Sequence, residues 1–244
     1  MSSQHSIIDI FLVRLMYVNL HDSSGYYLLN IVRIIESKYT EKMMTTTNKL
    51  EQAIALIDEA NSDDPNREKD AEGKEWPKEL LYSVRMSDML QRYAPDADDV
   101  AKISMRGQHI QRWKSSRSDY PMDRQGYLQW RTQLYKFHAE TTANIMQKVG
   151  YDEESIERVR KAVGKRGIKI NSDTQLLEDV TDLVFIEHYM LAFAQKHPEY
   201  SEEKWIEIVQ KTWKKMSPTA QQFALEGHIK LPEPLIPLIQ KAVA

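Results

Sequence analysis

The sequence predicts an all-α fold, built as a single globular domain of several helices. From Thr47 onward, apolar residues recur at spacings of three and four, and no segment alternates convincingly with a period of two. Hydrophobic residues make up 41% of the 244-residue chain and charged residues 28%, with eight Gly and nine Pro. This balance is typical of a globular helical domain.

The first 43 residues are predicted to lie outside this domain. Their two apolar stretches, IIDIFLVRLMYVNL and YYLLNIVRII, are interrupted by charged residues such as Asp9, so neither reaches the ~18 apolar residues of a membrane span. Asp9 also breaks the apolar run that a secretory signal requires. We interpret residues 1–43 as an appendage or as the product of a mis-set start codon, and residues 44–244 as the helical domain. No membrane association is expected.

Capping residues and proline predict where the first helices begin and end. Thr46 or Thr47 can act as the N-cap of the first helix, which ends near Asn61. The polar segment SDDPNREKDAEGKEWP then forms a loop. Pro77 suits the first turn of a second helix, which runs to about Tyr93.

Further caps divide the rest of the chain into helices. Asp96 or Asp98 is predicted to cap a third helix that continues through Trp113, and Asp173 to cap a strongly apolar helix. Gly150 ends the long helix that precedes it. The helices after the third are expected at about Gln125–Val149, Glu153–Val163, Thr174–Lys196, Glu202–Lys215, Pro218–Leu225 and Pro234–Val243.

Charge and cysteine content exclude several classes of function. The chain has no cysteine, which rules out disulfides, thiolate metal sites and a cysteine nucleophile, and fits a cytoplasmic protein. The net charge is −3, yet the stretch RGQHIQRWKSSRSDYPMDRQGYLQWR holds six basic residues against two acidic ones. Because the basic charge is local, non-specific coating of nucleic acid is disfavoured.

Two histidines and an aspartate are candidate metal ligands. His109 and His138 are each predicted to face inward from a separate helix, and Asp179 lies on the apolar helix together with Glu178. Buried carboxylates are costly unless a cation or metal pairs with them. His109, His138 and Asp179 could therefore meet as a divalent metal site. The alternative is that each histidine is a hydrogen-bonded core residue.

The order of these three residues resembles the HD-domain superfamily of metal-dependent phosphohydrolases. The phrases PKELLYSVRMS, QHIQRW, YPMDRQGYLQWR, FHAE and QLLEDVTDLVFIEHY are similar to a family known as domain of unknown function 4202, from about Leu50 to the C-terminus. HD proteins have adjacent His and Asp ligands, whereas Ala139 follows His138 here, which leaves a three-ligand, one-metal set. The resemblance implies an HD-like helical core, a divalent metal ion that activates water, and Glu178 or Glu140 as the base.

The arginines of the basic stretch are candidate substrate ligands. Guanidinium groups bind phosphate or carboxylate through two hydrogen bonds, so we expect a small phosphorylated or otherwise anionic substrate. Alternatively, the arginines stack on core aromatic rings or pair with neighbouring acids. The candidates are Arg106, Arg112, Arg117, Arg124 and Arg131.

Four functions remain open at this point. The leading hypothesis is a metal-dependent hydrolase, and an HD-type iron oxygenase is a second reading of the same ligands. The interleaved aromatic and basic residues also suit an RNA-binding module, which is less favoured, and the buried polar residues suit a helical interaction scaffold without catalysis. The sequence has no glycine-rich phosphate loop and no Ser-His-Asp motif.

Overall fold

The computed structural model describes residues 49–243, and within that range the all-α prediction is confirmed. The interpretation of residues 1–43 as an extension concerns residues outside this range. The helices are α1 (residues 49–62), α2 (Lys78–Tyr93), α3 (Asp99–Gly107), α4 (Arg124–Lys148), α5 (Glu153–Val163), α6 (Ser172–Val184), α7 (Met190–Lys196), α8 (Glu202–Lys215), α9 (Pro218–Leu225) and α10 (Ile236–Val243). Single 3₁₀ turns occur at Arg112–Lys114, Arg117–Asp119 and Glu233–Leu235, and a π-helical turn, Phe185–Tyr189, joins α6 to α7.

Side-chain caps set most helix starts. Asp98, Asp152 and Ser217 each accept a hydrogen bond from a backbone N–H in the first turn of α3, α5 and α9, which satisfies a donor that has no partner inside the helix. The cap predicted for α6 is wrong. Asn171, not Asp173, accepts from the Thr174 N–H at 2.9 Å, and Asp173 lies in the first turn, paired with an arginine of α5.

A short β-hairpin occupies part of the predicted polar loop. Strands β1 (Arg67–Lys69) and β2 (Glu75–Pro77) pair antiparallel. Asp70 organises the turn between them, because its carboxylate accepts from the Trp76 indole at 2.7 Å and from two backbone N–H groups. Gly73 adopts the positive φ of 82° that the turn requires. Since β2 runs directly into α2, the hairpin fixes where α2 begins.

The third helix ends earlier than the sequence predicts. α3 stops at Gly107, and the continuous helix expected through Trp113 is wrong. A side chain at Gly107 would overlap the hydroxyl of Thr142 on α4, so glycine permits a close approach of the two helices. Gln111 then takes a left-handed conformation with φ 52°, and its N–H donates to the Asn61 side chain at 2.9 Å. His109 consequently lies in a turn and not on a helix.

Helix α6 forms the centre of the fold and contacts α2, α3, α5, α8 and α9. Leu177, Val180 and Leu183 are fully buried on it, within the larger of two apolar clusters. The smaller cluster joins α1, α3, α4 and α5 through residues such as Ile57 and Met146. Within residues 49–243, no helix is long and apolar enough to cross a bilayer.

Candidate functional site

A cavity of about 520 Å³ opens between the start of α2, the turn after α3, the start of α4, and the α6–α8 region. This volume lies in the range of small-molecule sites. Charged and hydroxyl groups share its wall with aromatic rings. The lining residues are Lys78, Glu79, Tyr82, His109, Arg112, Tyr127, Arg131, Thr181, Asp182, Phe185, Tyr189, Phe193, Thr212 and Lys215.

His109 is held in the cavity wall by contacts on three sides. Its ring stacks on Tyr82 with centroids 4.2 Å apart, and its Nδ1 lies 3.3 Å from a carboxylate oxygen of Glu79. Its Nε2 lies 3.3 Å from the Arg112 guanidinium. Burial, reinforced by the charge of Arg112, lowers the pKa of His109 well below 6.5, so the ring is neutral at pH 7.

Glu79 is a buried carboxyl group at the N-terminus of α2. Asp64 stabilises this helix end by accepting the Glu79 backbone N–H at 3.0 Å, in place of a cap from Pro77. Burial raises the pKa of Glu79 to about 7, although the positive charges of Arg112 and Lys78 act in the opposite direction. Both protonation states of Glu79 are therefore accessible near neutral pH.

Two arginines line the cavity without a carboxylate partner. The Arg112 guanidinium lies over the Trp130 ring, 5.1 Å from its centroid. Arg131 donates to the hydroxyls of Tyr127, at 3.1 Å, and Tyr135. Neither guanidinium forms an ion pair with any acid in residues 49–243, so both remain available to an anion.

The other predicted substrate ligands lie away from the cavity wall. Arg106 makes two hydrogen bonds to the carboxylate of Asp58, at 2.6 and 2.7 Å, and ties α3 to α1. Arg117 donates to backbone carbonyls of its own loop at Tyr120 and Asp123. Arg124 is exposed at the start of α4. Of the five arginines, the structure brings together Arg112 and Arg131.

The structure brings His109 and His138 together, with ring centroids 5.8 Å apart. His138 is 1% exposed, and its Nδ1 donates to the Ile110 carbonyl at 2.8 Å. Its Nε2 is therefore a lone-pair acceptor, and it has no hydrogen-bond partner among the described residues. Burial, with the neighbouring His109, lowers the pKa of His138 to about 3.

Asp179 is engaged elsewhere. One carboxylate oxygen accepts from the Ser217 N–H at 2.7 Å and the Gln175 amide at 2.8 Å, and the other accepts from the Ser217 hydroxyl at 2.6 Å. Its contacts join α6 to the start of α9. Within residues 49–243, no three His, Asp or Glu side chains are arranged to hold a metal ion. As placed, the predicted ligands do not fit one, since Asp179 is already saturated with donors.

The two predicted bases are both paired with cations. Glu178 is held between the ammonium groups of Lys165, at 2.7 Å, and Lys215, at 2.8 Å. Burial favours its neutral form, but these two charges prevail and lower the pKa of Glu178 to about 2. Glu140 pairs with Arg160 at 3.2 Å, between α4 and α5, and is not among the residues that line the cavity.

Asp182 and Lys215 also line the cavity, and they form an ion pair with each other. The Lys215 ammonium lies 2.6 Å from Oδ1 of Asp182. Burial raises the pKa of Asp182 to about 7, opposed by Lys215 and reinforced by the nearby Glu178. Glu79, Asp182 and Lys215 were not predicted as site residues. The available signal was an acidic residue on a strongly apolar helix, which applies to Asp182 alone.

These features define an all-helical domain in which buried carboxyl groups and a neutral histidine share a cavity with arginines. A family model described as "Domain of unknown function (DUF4202)" matches residues 51–239, so the chain belongs to that family, as its sequence phrases predicted. No curated protein and no solved structure shows a significant match to the chain. The resemblance to HD domains stays a prediction.

Proposed function

We propose that the cavity binds a small phosphorylated or otherwise anionic compound and hydrolyses it by acid–base chemistry. One observation carries this proposal: Arg112 and Arg131 face the same cavity as the buried carboxyl of Glu79, and neither guanidinium pairs with an acid in residues 49–243.

Anion binding follows from the arrangement of positive charge. Arg112 is half-buried, Arg131 is more exposed, and Lys78 adds a third positive charge to the cavity lining. A guanidinium removed from bulk water and left without a counter-charge is stabilised strongly by an incoming anion. Phosphate and carboxylate match the planar donor geometry of arginine. The arginines would therefore hold the anionic group of the ligand.

Acid–base chemistry follows from Glu79 and its neighbour. When ionised, Glu79 can take a proton from an attacking water molecule, and when protonated it can give one to the leaving oxygen. A pKa of about 7 keeps both forms populated at neutral pH. The proton-bearing Nδ1 of the neutral His109 ring lies 3.3 Å from the Glu79 carboxylate, and this contact would position the carboxylate. Glu79 would be the catalytic residue and His109 its positioning residue.

The divalent metal that the sequence resemblance implies remains a separate hypothesis. No step of the proposed reaction passes through a metal, because Asp179, one of the three predicted ligands, already has hydrogen-bond donors on both oxygens. Chelation experiments distinguish the two mechanisms.

Calorimetric titration with inorganic phosphate and pyrophosphate tests the binding step. Arg112→Met and Arg131→Met should each weaken binding at least about tenfold, the loss expected for a charged hydrogen bond. Arg117→Met and Arg124→Met are matched controls from the same stretch and should change it less than about twofold. Equal affinity in all four variants would refute the proposal. Salt-sensitive RNA binding that Arg117→Met and Arg124→Met weaken would favour the RNA-binding module instead.

Phosphate release from p-nitrophenyl phosphate and a panel of phosphate esters tests the chemical step. Glu79→Gln should lower kcat by about 100-fold or more while phosphate affinity is retained, because the amide cannot transfer a proton. Glu140→Gln, on the surface between α4 and α5, is the control. An active Glu79→Gln variant would exclude Glu79 as the acid–base group.

A further inference from the structure

One buried oxygen in the cavity wall has no hydrogen-bond donor. Asp182 is 3% exposed, and its Oδ1 accepts from Lys215 at 2.6 Å. Its Oδ2 has no partner within residues 49–243, although the side chain lines the cavity. A buried acceptor left without a donor costs about 1–3 kcal/mol. Oδ2 exposes less than 1 Å² of surface, so a donor in the cavity would reach it and remove this penalty when a neighbouring side chain moves slightly.

We propose that Asp182 Oδ2 accepts a hydrogen bond from a hydroxyl group of the ligand, so that the cavity recognises hydroxylated anions, such as polyol phosphates. The inference rests on the proposed function, because it takes the anionic group to be held by Arg112 and Arg131. Asp182 belongs to the part of the wall formed by α6 and α8, which Thr212 also lines. The ligand would thus be bound at two positions, by the arginines at its anionic group and by Asp182 at its hydroxyl group.

The charges around Asp182 select a neutral donor over a cationic one. Lys215 bridges Asp182 and Glu178, and Lys165 contacts Glu178 from the other side at 2.7 Å. Two ammonium groups thus already balance the two carboxylates. An additional ammonium at Oδ2 would be repelled by Lys215, whereas a hydroxyl donates a hydrogen bond without adding charge. The structure therefore favours a hydroxyl over an amine.

Aromatic side chains form another part of the cavity wall. Phe185 and Tyr189, at the two ends of the π-helical turn, line the cavity together with Phe193 of α7. Aromatic faces pack against C–H groups and offer no hydrogen bond to a carbon chain. A ligand that carries a phosphate and a hydroxyl on a carbon skeleton matches this combination of polar and aromatic surfaces.

Matched ligand pairs test the inference on the unmodified protein. Affinities are measured by calorimetry at pH 8, where Asp182 is ionised, for ω-hydroxyalkyl phosphates of two to six carbons, each against the alkyl phosphate of the same length. At one chain length or more, the hydroxyl should tighten binding at least about fivefold, consistent with a hydrogen bond to a charged group. Equal affinities at every length would overturn the inference and leave the proposed function standing. If neither series binds, the proposed function itself fails.

An isosteric variant assigns the effect to Asp182. In Asp182→Asn the amide oxygen stays toward Lys215, which can only donate, so the amide NH₂ replaces Oδ2 as a donor. The hydroxyl advantage should fall below about twofold, because a hydrogen bond between a neutral amide and the hydroxyl replaces one to a carboxylate, while alkyl phosphates bind as before. Asp179→Asn, the same change one turn away on α6, should keep the advantage. Tighter binding of ω-aminoalkyl than of ω-hydroxyalkyl phosphates would overturn the choice of a hydroxyl.

Discussion

The Arg112 guanidinium lies 3.3 Å from Nε2 of His109 and determines which nitrogen of that ring carries the proton. A guanidinium can only donate, so Nε2 must accept and the proton resides on Nδ1, which faces Glu79 at 3.3 Å. The proposed anion-binding group and the proposed acid–base group are thereby connected through one imidazole ring. Any ligand that draws Arg112 toward itself also changes the environment of Glu79.

Without Arg112, the proton of the neutral His109 ring should be shared between Nδ1 and Nε2, and the pKa of His109 should rise. The pKa of His109 is lowered first by burial and then by the charge of Arg112, so Arg112→Met removes the second cause only. Long-range ¹H–¹⁵N NMR spectra should show the Nδ1–H form in the unmodified protein and a mixture in the variant. Arg117→Met is the control. An Nε2–H form in the unmodified protein would contradict the assignment.

Glu79→Gln should stabilise the fold at alkaline pH. The pKa of Glu79 is about 7 in the folded state against 4.5 ordinarily, so between these values the folded state binds more protons than the unfolded one. The free energy of unfolding therefore falls as pH rises through this window, by about 3 kcal/mol in all. Urea unfolding should show the advantage of Glu79→Gln growing by about 2–3 kcal/mol between pH 5 and pH 8.

The control for this pH effect is Glu140→Gln, whose carboxylate is half-exposed and paired with Arg160. The free energy of unfolding of Glu140→Gln should stay within about 1 kcal/mol of that of the unmodified protein at both pH values. Asp182 has a pKa raised in the same direction and is present in both proteins, so it cancels in the comparison. A pH-independent difference for Glu79→Gln would contradict the buried state of this carboxyl.

Gly107→Ala should destabilise the protein by about 1–3 kcal/mol, because the added methyl overlaps the Thr142 side chain and forces α3 away from α4. Thr142→Ala in the same chain should recover part of the loss, since it removes the atoms that collide. A double-mutant cycle in urea gives the coupling energy, expected near 1 kcal/mol. Additive losses would mean that the two positions do not touch.

Ser217→Ala should lower stability by about 1–2 kcal/mol without affecting phosphate affinity. The Ser217 hydroxyl caps α9 and also donates to Asp179 at 2.6 Å. The hydrogen bond to Asp179 joins α6 to α9, and neither residue lines the cavity. Thermal unfolding and phosphate titration of the same sample measure the two quantities. Weakened phosphate binding would place Asp179 in the functional site after all.

Chelation should leave phosphate affinity and hydrolysis unchanged, because Asp179 is committed to Ser217 and Gln175. Activity is measured after treatment with EDTA and again after addition of Mn²⁺, Mg²⁺ or Fe²⁺, with elemental analysis of the untreated protein. Activity lost with EDTA and restored by one of these ions would instead support the metal-dependent reaction. In that case His109→Ala and His138→Ala should each abolish metal binding.

Local signals predicted the helices well where a cap or proline marks a boundary. The bounds expected for α5, α8 and α9 agree with the structure because Asp152, Ser201 and Ser217 lie directly before them. The end of α3 could not be found in this way. It depends on the fit of Gly107 against Thr142, thirty-five positions along the chain, which helical periodicity does not encode.

Sequence reasoning reached only some residues of the candidate site, because the others depend on contacts between distant segments. Composition drew attention to His109 and Arg112, which the structure places together. It could not separate Arg112 from Arg106, because the difference lies in Asp58, a partner supplied by another helix. Glu79 was missed because its burial results from the turn after α3 closing over α2. The spacing of charged residues along the sequence does not reveal which carboxyl groups become buried and desolvated in the fold.

The cavity is assembled from segments that are far apart in the sequence. Lys78 contributes at the start of α2 and Lys215 at the end of α8, with α6 between them. Its wall is therefore complete only when all of these helices are docked. A ligand at one hundred times its Kd would add about 2.7 kcal/mol to the stability of this closed state. Ligand binding and formation of the complete fold would therefore be linked equilibria.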